Sequence, residues 1–259
     1  MKQNKINILN PKLTIGWLYP DLMSTYGDRG NIIVLRKIAE NHNINVEILR
    51  LDQNSDLKTI ESCNLLFMGG AQDRQQEIVN DDLINKKGKT IINMIEKGIP
   101  GLYICGAYQF LGNYYKDSYG TTIKGLGIFD MYTESRPRMN RLIGSIAVSP
   151  LNSNYFNEQC LVGFENHGGR TFLQDKNMAF AKVVKGFGNN GEDMTEGIFY
   201  KNSIGTYMHG PILPSNPTIA VKLLEMAIEK KYDKKVELSF NDEISLKAKN
   251  IILSRLEIK

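Results

Sequence analysis

The chain has 259 residues, 42% hydrophobic and 23% charged, with a formal net charge of +4 spread along its length. These values suit one globular α/β domain with at most an appendage. They offer no basic stripe for nucleic acid and no apolar run long enough to span a membrane. Cys63, Cys105 and Cys160 are few, odd in number and widely spaced, so neither a disulfide framework nor a structural zinc site is expected, and a reduced, cytoplasmic setting is.

The opening stretch "MKQNKINILNPK" has no apolar leader core and no small-residue cleavage site. "KLTIGWLYP" (12–20) reads as a buried strand ending at Pro20, followed by a polar turn, "DLMSTYGDRGN". "IIVLRKIAENHN" has helical spacing, with Ile32, Ile33, Leu35, Ile38 and Ala39 on one side. "NVEILRL" (45–51) is the next strand, "DLKTIESC" a short helix or turn, and "NLLFMGG" (64–70) a buried strand running into two glycines. "DDLINKKGKTIINMIEKG" is a helix ending at Gly98, the usual left-handed cap, and the strand "GLYI" follows Pro100. This β-α-β order predicts a mainly parallel sheet covered by helices.

After residue 120 the texture changes. "GLGIFDMYTES", "RLIGSIAVSP", "LVGFENHGGR", "MAFAKVVKGFG" and "EGIFYKNSIGTYMHG" read as antiparallel strands appended to the parallel core. "NPTIAVKLLEMAIEKK" (216–231) returns to helical spacing, and 241–258 is a terminal helix with Asn241 as its N-cap. Residues 12–231 are read as the main domain and 232–259 as a helical extension.

The chemistry centres on "GLYICGAYQ", where a strand ends at Cys105 and a helix begins. Such a corner exposes a nucleophile above the carboxyl edge of the sheet, where ligands of open α/β folds bind. The helix N-terminus favours the reactive thiolate. Gly106 lets backbone pass close to a reacting carbonyl, and its N–H is one oxyanion donor. "FMGGAQD" ends a neighbouring strand, and Gly70 or Ala71 supplies a second. A buried core cysteine at 105 is the competing reading.

A nucleophilic thiol needs a base. His42 lies in a polar helix exit, while His167 ("FENHGGR") and His209 ("GTYMHGPILP") both follow apolar runs and precede glycine, so spacing alone does not separate them. No orienting carboxylate is evident. Glu165 is assigned to the strand face opposite His167, and Pro211 stands two residues past His209. "GFGNNG" (186–191) matches a dinucleotide fingerprint literally, but no helix follows it, and it is read as a hairpin loop.

Taken together, "GLYICGAYQFLG", "FMGGAQD", "GFENHGGRT" and "GTYMHGPILP" resemble the class I glutamine amidotransferases, in their cobyric-acid-synthase-like branch. Within it the chain is most similar to the glutaminase subunits of lipid II isoglutaminyl synthases, from "STYGDRGNIIVLR" to about Lys231. The resemblance implies a flavodoxin-like class I glutaminase fold: α/β, with a mainly parallel central sheet flanked by helices and appended antiparallel strands. It implies that Cys105 attacks glutamine and that His209, not His167, carries the protons. It places Gly70, Ala71 and Gly106 at the oxyanion site, and Gln109, Asn166, Gly168 and Arg141 around L-glutamine. Arg136 and Arg138 lie in a local expansion beside Arg141.

The resemblance further implies no cofactor in this chain. ATP and magnesium would belong to a Mur-ligase-like synthetase partner, forming a heterodimer that amidates the D-glutamate of the peptidoglycan precursor. Most class I glutaminases carry a glutamate two residues beyond the histidine; here Pro211 stands there, so the orienting carboxylate is expected from the partner or not at all. Competing readings are an amidotransferase for another, cobyrinate-like acceptor, a stand-alone cysteine hydrolase, and a scaffold with an inert Cys105.

Overall fold

The computed structural model describes residues 8–71, 73–135, 140–152, 154–156, 158–240 and 242–258. The first half runs β1 (Lys12–Leu18), α1 (Arg29–Asn41), β2 (Asn45–Leu51), α2 (Leu57–Glu61), β3 (Leu65–Met68), α3 (Asp73–Asp82), a π turn, α4 (Gly88–Glu96), β4 (Gly101–Ile104) and α5 (Gly106–Leu111). Then come β5 (Tyr114–Lys116), β6 (Thr122–Lys124), β7 (Met131–Ser135), β8 (Leu142–Pro150), β9 (Leu161–His167), β10 (Gly169–Leu173) and β11 (Ala181–Lys185). The chain closes with β12 (Thr195–Glu196), β13 (Ile198–Tyr200), β14 (Ser203–Thr206), α6 (Ile212–Ser215), α7 (Pro217–Tyr232) and α8 (Glu243–Arg255).

The central sheet has the order β13-β14-β4-β3-β1-β2, parallel except for β13. "LLFM" and "GLYI" are buried at every position, as inner parallel strands require. Helices α1 and α7 pack together, as do α2 and α4. Two further four-stranded sheets, β10-β7-β5-β6 and β12-β11-β8-β9, form the appended part.

One expectation is corrected in a way that matters for the site. "EGIFYKNSIGTYMHG" is not wholly appended: β14 joins the central sheet, parallel to β4, with Thr206 beside Ile104. A run of four buried residues carries no local mark of its partner's direction. Smaller corrections follow the same logic. Ile33 is 56% exposed, because Asn31 takes the inward position and bonds the Leu213 N–H. Helix α3 begins at Asp73, earlier than expected. The terminal helix is capped by Asp242, which accepts from Ile244 N–H, while Asn241 lies outside the described residues. "GFGNNG" is a loop between β11 and β12 with three left-handed glycines, as expected.

Candidate active site

Four adjacent strands, β14, β4, β3 and β1, end at the same edge, and each delivers one piece of the site just beyond its end. After β4 comes Cys105, with φ 52° and ψ −105°, a strained corner for a residue with a side chain. Its N–H donates to Thr206 O of β14, so the neighbouring strand holds the corner. Cys105 is buried, with 8% of the residue exposed.

His209 follows β14. Its backbone forms a two-bond bridge with Phe164 of β9, so the appended antiparallel sheet fixes where the ring sits. A Cβ added to Gly70 would lie 2.9 Å from His209 Cε1 and 3.3 Å from Cys105 Cβ. The two side chains therefore meet around that glycine, and a Cβ there would force a neighbour to shift. His209 is buried, which by itself would lower its pKa. The charge of a Cys105 thiolate and the Asp28 carboxylate outweigh burial, and the pKa is pushed up to about 10.

Asp28 comes from the β1–α1 turn. It is fully buried; Oδ2 accepts the Gly70 N–H at 2.7 Å, and Oδ1 faces His209 Nδ1 at 3.5 Å. Neither of these two facing atoms has a hydrogen-bond partner elsewhere. A buried carboxylate of this chain therefore faces the histidine, where the sequence offered none. A Cβ on Gly30 would lie 2.4 Å from Pro211 Cγ, so the proline packs on the first turn of α1.

The same bond corrects part of the oxyanion assignment: Gly70 N–H is committed to Asp28. Gly106 stands at the first position of α5, where an N–H has no acceptor within the helix. Gln76 spans Ala71 and Gly106. Its Nε2 donates to Ala71 O at 3.1 Å, and a Cβ on Gly106 would lie 2.6 Å from that nitrogen.

Arg141 and Asn166 come together: Arg141 Nε donates to Asn166 Oδ1 and Nη2 to Asn166 O, both at 2.8 Å. Asn166 Nδ2 donates to the Tyr26 hydroxyl. Gly168 lies close by, a Cβ there falling 3.6 Å from Arg141 Nη1. Arg136 and Arg138 lie outside the described residues. Gln109 is buried and donates to Tyr207 Oη at 3.0 Å, so its amide hydrogen braces the strand end behind Cys105.

His167 does other work. It is stacked on Tyr207 at 3.7 Å, its Nδ1 bonds Gly169 O, and burial pushes its pKa down. Glu165 lies two residues earlier on β9 and so shares its face, contrary to the sequence expectation; its carboxylate stands 3.9 Å from His167 Nε2. It accepts the Phe187 and Gly188 N–H groups, which gives the glycine loop at 186–191 a structural purpose.

Sequence reasoning missed Asp28, Tyr26 and Gln76. A signal existed for the first two. Turns at the carboxyl ends of neighbouring parallel strands converge, so "STYGDRGN" was a place to seek a partner for a histidine. Among the described residues, no group of three or more His, Cys, Asp or Glu could hold a metal ion, and no helix is long and apolar enough to cross a membrane.

Residues 14–217 match the CobB/CobQ-like glutamine amidotransferase domain. The chain is 42% identical over 244 residues to the lipid II isoglutaminyl synthase (glutamine-hydrolyzing) subunit GatD of Staphylococcus aureus, covering 94% of this chain and 96% of that one. It is 41% identical over 235 residues to the GatD subunit of Streptococcus pneumoniae, covering 90% and 87%. Among solved structures, PurLQS from Thermotoga maritima superposes with a TM-score of 0.50 at 14% identity, over 87% of this chain and 99% of that one, a likeness of fold.

Proposed function

The chain belongs to the CobB/CobQ-like glutamine amidotransferase family, and on that premise we propose that it is the glutamine-hydrolysing subunit of a lipid II isoglutaminyl synthase. The observation that carries the chemistry is the meeting of Cys105, His209 and Asp28 at one sheet edge. The acceptor reading rests on the likeness to the two GatD subunits over most of both chains.

Cys105 Sγ attacks the side-chain amide carbon of L-glutamine. The carbonyl oxygen takes negative charge, and the N–H groups of Ala71 and Gly106 receive it. His209, held by Asp28, gives its proton to the leaving nitrogen, and ammonia departs from a γ-glutamyl thioester. His209 then takes a proton from water, which attacks the thioester and releases glutamate. Such proton transfer is worth about 10²–10⁴-fold in rate. Arg141, Asn166 and Gly168 receive the amino-acid end, a guanidinium suiting a carboxylate because it binds both oxygens.

Ammonia passes to a partner, read as a Mur-ligase-like synthetase that binds ATP and magnesium and amidates D-glutamate of the lipid-linked precursor. The pair works in the cytoplasm, and residues 232–259 are a helical extension of the amidotransferase unit. The test is ammonia release from glutamine by wild type, Cys105→Ser and His209→Ala. Both changes should abolish it; turnover unaffected by either overturns the reading. Glutamine-dependent amidation of lipid II after addition of the synthetase tests the acceptor.

A further inference from the structure

We propose that Tyr26 is a positioning residue that couples the grip on the amino-acid end of the substrate to the placement of His209. This rests on the glutaminase reading above and deepens it.

Tyr26 sits in the β1–α1 turn with φ 53° and ψ 30°, in the left-handed region that favours glycine. A large aromatic residue is held there because the turn is pinned on both sides: Thr25 N–H donates to Gly70 O, and Asp28 accepts from Gly70 N–H. Strain of this kind persists where surrounding structure over-determines it, most often at functional sites. The side chain is 49% exposed, yet both its ends are engaged. The ring meets His209 edge-on, with centroids 5.0 Å apart at 68°. The hydroxyl accepts from Asn166 Nδ2 at 2.8 Å.

Asn166 in turn accepts from Arg141 through its side chain and its backbone carbonyl. Arg141, Asn166, Tyr26 and His209 therefore form one continuous line from the carboxylate-binding guanidinium to the base. Because the hydroxyl accepts from Asn166, its own proton is left for a ligand. When Arg141 turns toward a substrate carboxylate, Asn166 must redistribute its hydrogen bonds. Tyr26 follows, and the ring it lays against His209 follows with it. A substrate with the amino-acid end sets the base; an amide without it leaves the base unset. Binding energy from the remote end is thereby spent on the chemical step.

The full chain is assayed for ammonia release from L-glutamine, and Cys105 labelling is followed by mass spectrometry with two probes. One is the chloroketone L-2-amino-4-oxo-5-chloropentanoate, which carries the amino-acid end; the other is iodoacetamide, which lacks it. With either, Sγ forms a bond to carbon and halide leaves. Tyr26→Phe should lower glutamine kcat and chloroketone labelling about fivefold, the worth of one hydrogen bond. Tyr26→Ala should lower both by about 30-fold or more, through a displaced base. In Tyr26→Phe, where the ring against His209 is kept, iodoacetamide labelling should stay within about twofold and the melting temperature should not change. Equal slowing of the two probes would reduce Tyr26 to a structural support, and unchanged glutamine kinetics in both variants would remove its role altogether. Those outcomes leave an active wild type and so spare the glutaminase reading. A wild type that releases no ammonia from glutamine sinks both.

Discussion

Asp28 Oδ1 and His209 Nδ1 face each other across 3.5 Å inside the protein, one from the turn after β1 and one from the turn after β14. A carboxylate so placed selects which ring nitrogen carries the proton and steadies the imidazolium formed during turnover. Separations of this length are common in unliganded sites and tighten when substrate binds.

Asp28→Asn is therefore expected to lower kcat by on the order of 10²-fold or more, with KM for glutamine nearly unchanged. The amide oxygen still takes the Gly70 N–H, so the turn survives, but an NH₂ now faces Nδ1 and favours the wrong tautomer. Steady-state kinetics on the isolated chain decide the matter. A wild-type kcat would return the orienting role to a partner.

Gly70→Ala should cost activity more than stability. The new methyl would press on His209 Cε1 and Thr25 Oγ1, both 2.9 Å away, and on Cys105 Cβ. Overpacking of this kind costs about 1–3 kcal/mol. Prising nucleophile and base apart costs about 10²-fold in rate per ångström of misplacement. Thermal melting and glutamine turnover measured together test the pair; a variant with normal kcat would mean that the two side chains do not rely on that gap.

Glu196 predicts how stability changes with pH. It is fully buried, and burial pushes its pKa up from 4.5 to about 7, although Thr206 Oγ1 and Tyr207 N–H both donate to Oε1. A folded-state pKa above the unfolded one means that the folded chain binds the proton more tightly. The associated stability is complete below about 4.5 and is lost as pH rises to about 7. Glu196→Gln keeps an acceptor for both donors and has no charge to bury. Its melting temperature relative to wild type should rise across that window and level off above it. A difference that does not vary with pH would show that Glu196 does not titrate there.

The parallel core was legible because its strands are short apolar runs and its turns carry glycines with specific duties. The corner at Cys105 was legible for the same reason: a strand, a cysteine, a glycine and a helix in immediate succession form a local pattern, which by itself left core cysteine and nucleophile as equal readings. His209 was not separable from His167 on spacing, since both end apolar runs before glycine. Their difference is that β14 lies beside β4 in the central sheet while β9 lies in another sheet. Family likeness pointed to His209, and strand order is what sets its ring beside Cys105.

The sequence by itself determined the short parallel strands of the core and the sharp turn at Cys105, because each depends on neighbours within a few positions. Tertiary structure alone decided that β14 runs parallel to β4, that Pro211 packs on Gly30, that Asp28 faces His209, and that Gly70 spends its N–H on a carboxylate. Those outcomes depend on which strand ends lie side by side. Strand order is set by the packing of the whole core, which no short stretch of chain encodes.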